Sequence, residues 1–211
     1  MTNLATLLTL SDSRLPTGGH VHSGGVEEAV TEGLVRDLVT LRAFLIRRVR
    51  TTGLVTASVA AAVHSGSLPV TSADHEIDAR TPSPAARQAS RAQGRGLLRL
   101  ARKVWPDQRW ESLGAAPHLA TVAGSVGAAS GLEPEQTALT IVYTTMTGSA
   151  TAAQRLLALD PGDVAALTFE LATLCDQTSA TACKELADLS DPLLDVLAQK
   201  HSQRERPLFA S

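Results

Sequence analysis

A chain of 211 residues with 44% hydrophobic side chains is long for one core and short for two, which predicts a single domain. Aromatic residues at 3% leave Ala, Leu and Val to build that core, which favours close-packed helices over a β-sandwich. The formal charge of −2 gives no overall bias toward nucleic acid or a membrane surface. The two cysteines, Cys175 and Cys183, form no CxxC pattern, which argues against a disulfide framework or a zinc ribbon.

In chain order, the opening MTNLATLLTL lacks a basic segment and a cleavage site, and no apolar run approaches the roughly 18 residues of a membrane span. The expectation is a cytoplasmic protein. Ser11 to Gly25, SDSRLPTGGHVHSGG, then gathers four glycines, three serines and the pair His20 and His22 into fifteen positions. Leu34, Leu38, Leu41 and Leu45 recur at helical spacing, and Val55, Val59 and Val63 extend the stripe until His64-Ser65-Gly66 stops it. Gly53 inside this run marks a kink or a close crossing. His64 to Pro84, with its Ser, Pro and acidic residues, reads as linker-like. Ser83-Pro84 opens a helix to Val104, with Pro at its first position.

Residues 118–130 alternate apolar with small side chains and end at Gly131. Glu133-Pro134 opens the next helix, to about Leu159. Within it LTIVYTTMT, residues 139–147, has β-branched composition, but Leu139, Val142, Met146, Ala150, Ala153 and Leu157 continue one helical face. Asp160-Pro161 opens another helix with Leu167, Leu171, Leu174 and Cys175 inward, and Ser190-Asp191-Pro192 opens the last. The two cysteines fall about 80° apart around such a helix, as ordinary core residues. Small residues at Ala123, Gly124, Gly127, Ala128, Gly148, Ser149, Ala150, Ala152 and Ala153 place the helices that carry them at the buried centre. The predicted fold is all-α, a single-domain bundle of about eight to ten helices over residues 1–200. The tail 201–211 is short of core residues, ends in Leu208-Phe209, and is expected to order on partner binding.

Charge is uneven along the chain: residues 1–110 carry 14 basic and 9 acidic side chains, residues 111–211 carry 5 and 12. The split suits capture of a partner or of a second copy, or simple cancellation between neighbouring halves. Arg87, Arg91, Arg95 and Arg99 stand at strict i+4 spacing and wind as a basic ridge along one helix. The ridge could grip phosphates or an acidic partner, or be a solvated face. As a nucleic-acid site it lacks aromatic interleaving and a recognisable helix-turn-helix.

The glycine-rich stretch completes no enzyme motif. The glycines lack the lysine and hydroxyl of a phosphate loop, no GxGxxG is present, and Val21 stands where a nucleophile elbow around Ser23 needs glycine. His20 and His22 share a side only in extended backbone, and the remaining histidines form no HExxH. A helical metal hydrolase would need a fuller ligand set than this, whereas a transient metal role would not.

DSRLPTGGHVHSGGVEEAV resembles the N-terminal signature of the urease accessory protein UreF family, which reads close to DSALPVGGFAHSGGLE. RQASRAQGRGLLRL, from Arg87 to Leu100, is similar to that family's arginine-containing helix, and Ala153-Gln154-Arg155-Leu156-Leu157 and the closing RPLFAS are similar to its later segments. Three positions depart from the pattern: Ala158-Leu159-Asp160-Pro161 replaces a Pro-Leu-Gly-Gln turn, Pro207 replaces an arginine with Arg206 one place earlier, and His20 replaces an aromatic residue. The resemblance implies an all-α, non-catalytic chaperone that dimerises, binds UreD (also called UreH), and recruits and modulates the GTPase UreG, so that nickel reaches apo-urease. No stably bound cofactor, nucleic acid or membrane is expected; the complex handles the nickel. The partner-facing candidates are Glu27, Arg87, Arg91, Arg95, Arg155, Arg206, Leu208 and Phe209. Gly18, Gly19, Gly24 and Gly25 are expected to shape a turn with positive φ, and His20 and His22 to meet nickel only in transit.

Overall fold

A computed structural model describes residues 3–17, 22–205 and 207–209. These residues form an all-α bundle with no strand among them. The helices are α1 (Leu4–Leu10), α2 (Val26–Thr31), α3 (Leu38–Arg48), α4 (Leu54–Ser65), α5 (Val70–Arg80), α6 (Pro84–Val104), α7 (Leu119–Ala129), α8 (Pro134–Leu157), α9 (Pro161–Glu170), α10 (Ala172–Ala182) and α11 (Pro192–His201). A π-helical turn, Val49–Gly53, joins α3 to α4 without a break, so counting that rod once leaves ten helices among the described residues.

Local chemistry sets the helix ends. Ser83 Oγ accepts from the Ala86 N–H, and the carboxylates of Asp160 and Asp191 accept from the first N–H groups of α9 and α11. Pro fills the first position of α6, α8, α9 and α11, where a missing N–H costs nothing. Reciprocal capping boxes start α3 (Asp37 with Thr40) and α8 (Glu133 with Gln136).

The centre of the bundle is α4 packed against α7 and α8, with α6 and α10 on the flanks. Val55, Val59 and Val63 are buried on α4, as are Val142, Met146, Ala150 and Ala153 on α8. Residues 139–147 are therefore helical, because tertiary burial of one face overrides their β propensity. Close approach depends on small residues: a Cβ at Gly124 would stand 2.5 Å from the Ala60 carbonyl and would also run into Val63. Gly148 is different, since nothing lies within contact of a Cβ there, and it faces a cavity instead of a neighbouring helix.

Four expectations are corrected. Leu34 is exposed and precedes the helix, because the Asp37 capping box starts α3 only at Leu38. The linker-like stretch contains α5, whose Val70, Ala73 and Ile77 pack inward at helical spacing beneath a polar composition. The helix opened by Asp160-Pro161 breaks at Leu171, so α9 and α10 are separate. Cys175 is buried, with its thiol pushed up to about 11 first by burial, whereas Cys183 is exposed and is no core residue.

Candidate partner-docking site

The glycine-rich stretch turns the chain into α2. Gly24 and Gly25 have φ of 63° and 88°, the left-handed backbone that residues with a Cβ rarely adopt. A side chain at Gly24 would also collide with the Arg48 guanidinium. Ser23 is wholly buried, and its carbonyl accepts a hydrogen bond of 3.1 Å from Ser149 Oγ, which ties the turn to α8. Gly18, Gly19, His20 and Arg206 lie outside the described residues.

Glu27 and Glu28 occupy the first turn of α2, where acidic side chains suit the helix dipole. They point inward, at 3% and 5% exposure, and hold the tail. Glu27 Oε2 accepts from His201 Nε2 at 2.8 Å and from the Phe209 N–H at 3.0 Å, while Oε1 accepts from the Leu208 N–H at 2.8 Å. Burial alone would raise the Glu27 pKa, but the His201 bond and the two backbone N–H groups outweigh it and leave the carboxyl below its ordinary value. Arg204 donates to Glu28 at 3.0 Å and to Thr31 Oγ1 at 2.7 Å, and Lys200 reaches Glu32 at 2.8 Å. Phe209 packs against the core, whereas Leu208 is 79% exposed. Glu27 therefore faces the tail of its own chain, and it sets the position of the exposed Leu208.

The arginine ridge divides into two halves. Arg87 donates to the carbonyls of Thr81 (2.7 Å) and Pro82 (3.1 Å), and Arg91 to Asp74 (3.0 Å), Asp78 (2.8 Å) and the Ala116 carbonyl (2.6 Å). Both guanidiniums fold inward onto α5, while Arg95 and Arg99 remain exposed. Behind them the His118 ring is fully buried between Asp78 Oδ1, 2.9 Å from Nε2, and Ser90 Oγ, 2.9 Å from Nδ1. Burial holds His118 below its ordinary pKa despite Asp78, so the neutral ring donates from Nε2 and accepts at Nδ1. Asp78 is raised by burial but lowered more by His118 and Arg91, and it stays ionised. Sequence reasoning missed this network because its acidic half was assigned to a linker. The available signal was Asp74 and Asp78 at i,i+4, matching Arg87 and Arg91 at the same spacing.

His22, Arg91 and Arg95 do come together. With Gln88 and Ser202 they line a groove beside α6, next to the start of the tail. On the other side of His22 lies a cavity of about 300 Å³ whose walls include Gly24, Gly25, Arg155 and Phe209. Arg155 sits exposed in the last turn of α8, just before Ala158, which takes φ of 50° where the family signature has its Pro-Leu-Gly-Gln turn. Among the described residues, no three His, Cys, Asp or Glu side chains gather as a metal-holding group, and no helix is long and apolar enough to cross a membrane.

The two charge-imbalanced halves meet within the chain. Arg42 and Arg47 pair with Glu170 and Asp191, while Glu28 and Glu32 pair with Arg204 and Lys200. Arg87 and Arg91 of the basic ridge, and Glu170 and Asp191 of the acidic C-terminal half, are committed to contacts within the chain, which shortens the free ridge to Arg95 and Arg99.

The chain matches the UreF family over residues 35–172, which begins after the glycine-rich turn and ends before α10 completes. Curated relatives extend over the turn and the tail as well. The chain is 75% identical to the urease accessory protein UreF of Mycolicibacterium vanbaalenii, 71% to that of Mycobacterium marinum and 69% to that of Mycobacterium tuberculosis (strain ATCC 25177 / H37Ra), each over the full length of both proteins. With its helical bundle, its SGG turn and its docked tail, the chain belongs to the UreF family of urease accessory proteins.

Proposed function

We propose that the protein is a non-catalytic scaffold of urease maturation that joins UreD (UreH) to the GTPase UreG as a homodimer in the cytoplasm, so that nickel passes to apo-urease without this chain retaining it. The observation that carries the reading is the docked tail: the buried Glu27 carboxylate fixes the Leu208 and Phe209 backbone and leaves the Leu208 side chain 79% exposed, while Ser202, at the start of the tail, lines the groove of His22, Arg91 and Arg95. An exposed apolar anchor on the tail and a basic, hydroxyl-bearing groove at the start of the tail are the residue types of protein-docking surfaces. Arg155 and His22, which line one cavity, belong to the same proposed face, and Arg206 is kept as a partner-facing candidate from the sequence. His20 and His22 would touch nickel only in passing.

The test is co-expression with the urease accessory genes, pull-down through this chain, and a nickel-dependent urease activation assay. Deleting residues 201–211 and, separately, changing Leu208→Asp should leave a folded helical protein that no longer captures UreD and no longer supports activation. Undiminished capture by both variants refutes the role of the tail. A complex that forms only with nucleic acid present, with a steep salt dependence, would favour the basic-ridge reading instead.

A further inference from the structure

Among the described residues, one half-buried arginine has a buried side-chain nitrogen that none of these contacts uses. Arg48, in the last turn of α3, has its Nε shut away from solvent with no hydrogen-bond partner among the described residues. Among the described residues, the other arginines drawn into the interior have a carboxylate or carbonyl facing them, as Arg80, Arg87 and Arg91 do. Native proteins rarely leave a buried guanidinium nitrogen unmatched, because the desolvation goes uncompensated. Burial pulls the Arg48 pKa down to about 10, with no carboxylate opposing the shift, so the group is still a cation at neutral pH.

Its surroundings have the form of a receptacle. The guanidinium lies at the wall of the cavity of about 300 Å³, against Gly24, where any Cβ would displace it. One and two turns further along the same rod stand Thr52 and Thr56, and Thr145 faces them from α8; all three line the cavity. No hydrogen bond among the described residues engages their hydroxyls. The π-helical turn begins immediately after Arg48, and widened turns of this kind inside helices are frequent at functional sites. The acidic residues on the cavity wall are committed elsewhere: Asp12 pairs with Arg14, Asp191 with Arg47, and Asp195 accepts from the Ser83 N–H. A fork of N–H donors with hydroxyl donors around it and no available carboxylate suits a planar or tetrahedral oxyanion.

We infer that this cavity is a binding site for a small free oxyanion of the carboxylate or phosphate class, gripped by Arg48 with Thr52, Thr56 and Thr145. The inference does not depend on which partners the protein scaffolds. It also gives the SGG turn a second task, because Gly24 leaves the space in which the guanidinium rests.

The test uses the purified full-length protein with inorganic phosphate and, separately, acetate, at ionic strength held constant with chloride. Saturable binding by calorimetry is expected for at least one of them, together with a rise in melting temperature of roughly 5–10 °C at one hundred times the dissociation constant. The Arg48 Nε–H resonance should shift along the same isotherm. Arg48→Met should abolish both effects, and Arg48→Lys should weaken binding about tenfold or more by removing the fork. If Arg48→Met does not fold, Thr52→Val combined with Thr56→Val keeps the shape and should weaken binding about tenfold. Failure of both anions to bind, or an equal effect on wild type and on the substituted proteins, overturns the inference.

Discussion

Glu27→Gln is the sharpest single perturbation of the docked tail. The carboxylate places one oxygen on the Leu208 N–H and the other on both His201 Nε2 and the Phe209 N–H. A glutamine has the same shape but only one acceptor. With its oxygen turned to His201 and Phe209, its NH2 group meets the Leu208 N–H, donor against donor; turned the other way it opposes two donors. The first arrangement costs less and loses one charge-assisted bond, worth about 1.5–3 kcal/mol. Because Leu208 is itself exposed, its amide can swing out to water, so the lower end applies: about 1.5 kcal/mol and a fall in melting temperature of roughly 3–6 °C for a chain of this size. Amide exchange at Leu208 and Phe209 should accelerate about tenfold.

The same contact has a pH signature. The folded Glu27 carboxyl titrates below its ordinary value of 4.5, so its contribution is fully present above that value and is lost as pH falls through the lower folded one. In wild type the tail amides should therefore open in that acidic range, before the core amides, and Glu27→Gln should remove the step. Unchanged exchange at Leu208 and Phe209 in the variant, with an unchanged melting temperature, would refute the claim that this carboxylate holds the tail.

Three further outcomes follow from the packing. Asp78→Ala strands the fully buried His118 Nε2–H and should cost about 2 kcal/mol in urea denaturation; a loss within error of zero would show that His118 finds another acceptor. Gly124→Val drives side-chain atoms into the Ala60 carbonyl and Val63 at the α4–α7 crossing and should cost roughly 3 kcal/mol or more, or prevent folding; a melting temperature equal to wild type would mean the crossing can spread freely. Ala158→Gly relieves a non-glycine left-handed residue at the end of α8 and should stabilise by about 0.5–1 kcal/mol, since the strain removed exceeds the added chain entropy; a lower melting temperature would contradict that balance.

Most helices were readable from the residues because their ends are encoded locally. Asp, Ser or Glu before Pro sets a start within one residue, as at Ser83-Pro84, Glu133-Pro134, Asp160-Pro161 and Asp191-Pro192, and a 3.6-residue stripe carries the helix through even a β-branched segment such as 139–147. The family was legible in DSRLPTGGHVHSGGVEEAV, and the glycine pattern correctly implied left-handed backbone at Gly24 and Gly25. The sequence could not say what each charged side chain faces, because that depends on groups distant along the chain. Glu27 meets His201 and Leu208, Arg47 meets Asp191, and Arg91 meets Asp74, Asp78 and the Ala116 carbonyl. An i+4 row of arginines specifies one helical face and leaves open whether that face meets solvent or α5; here the first two turn inward and the last two do not. Arg48 gave no signal in the sequence, standing beside Arg47 and Arg50 as one of several basic residues in the same helical turn. Only the approach of Gly24, α4 and α8 around it leaves its Nε buried without a partner, since burial is a property of the packed whole and of no local pattern.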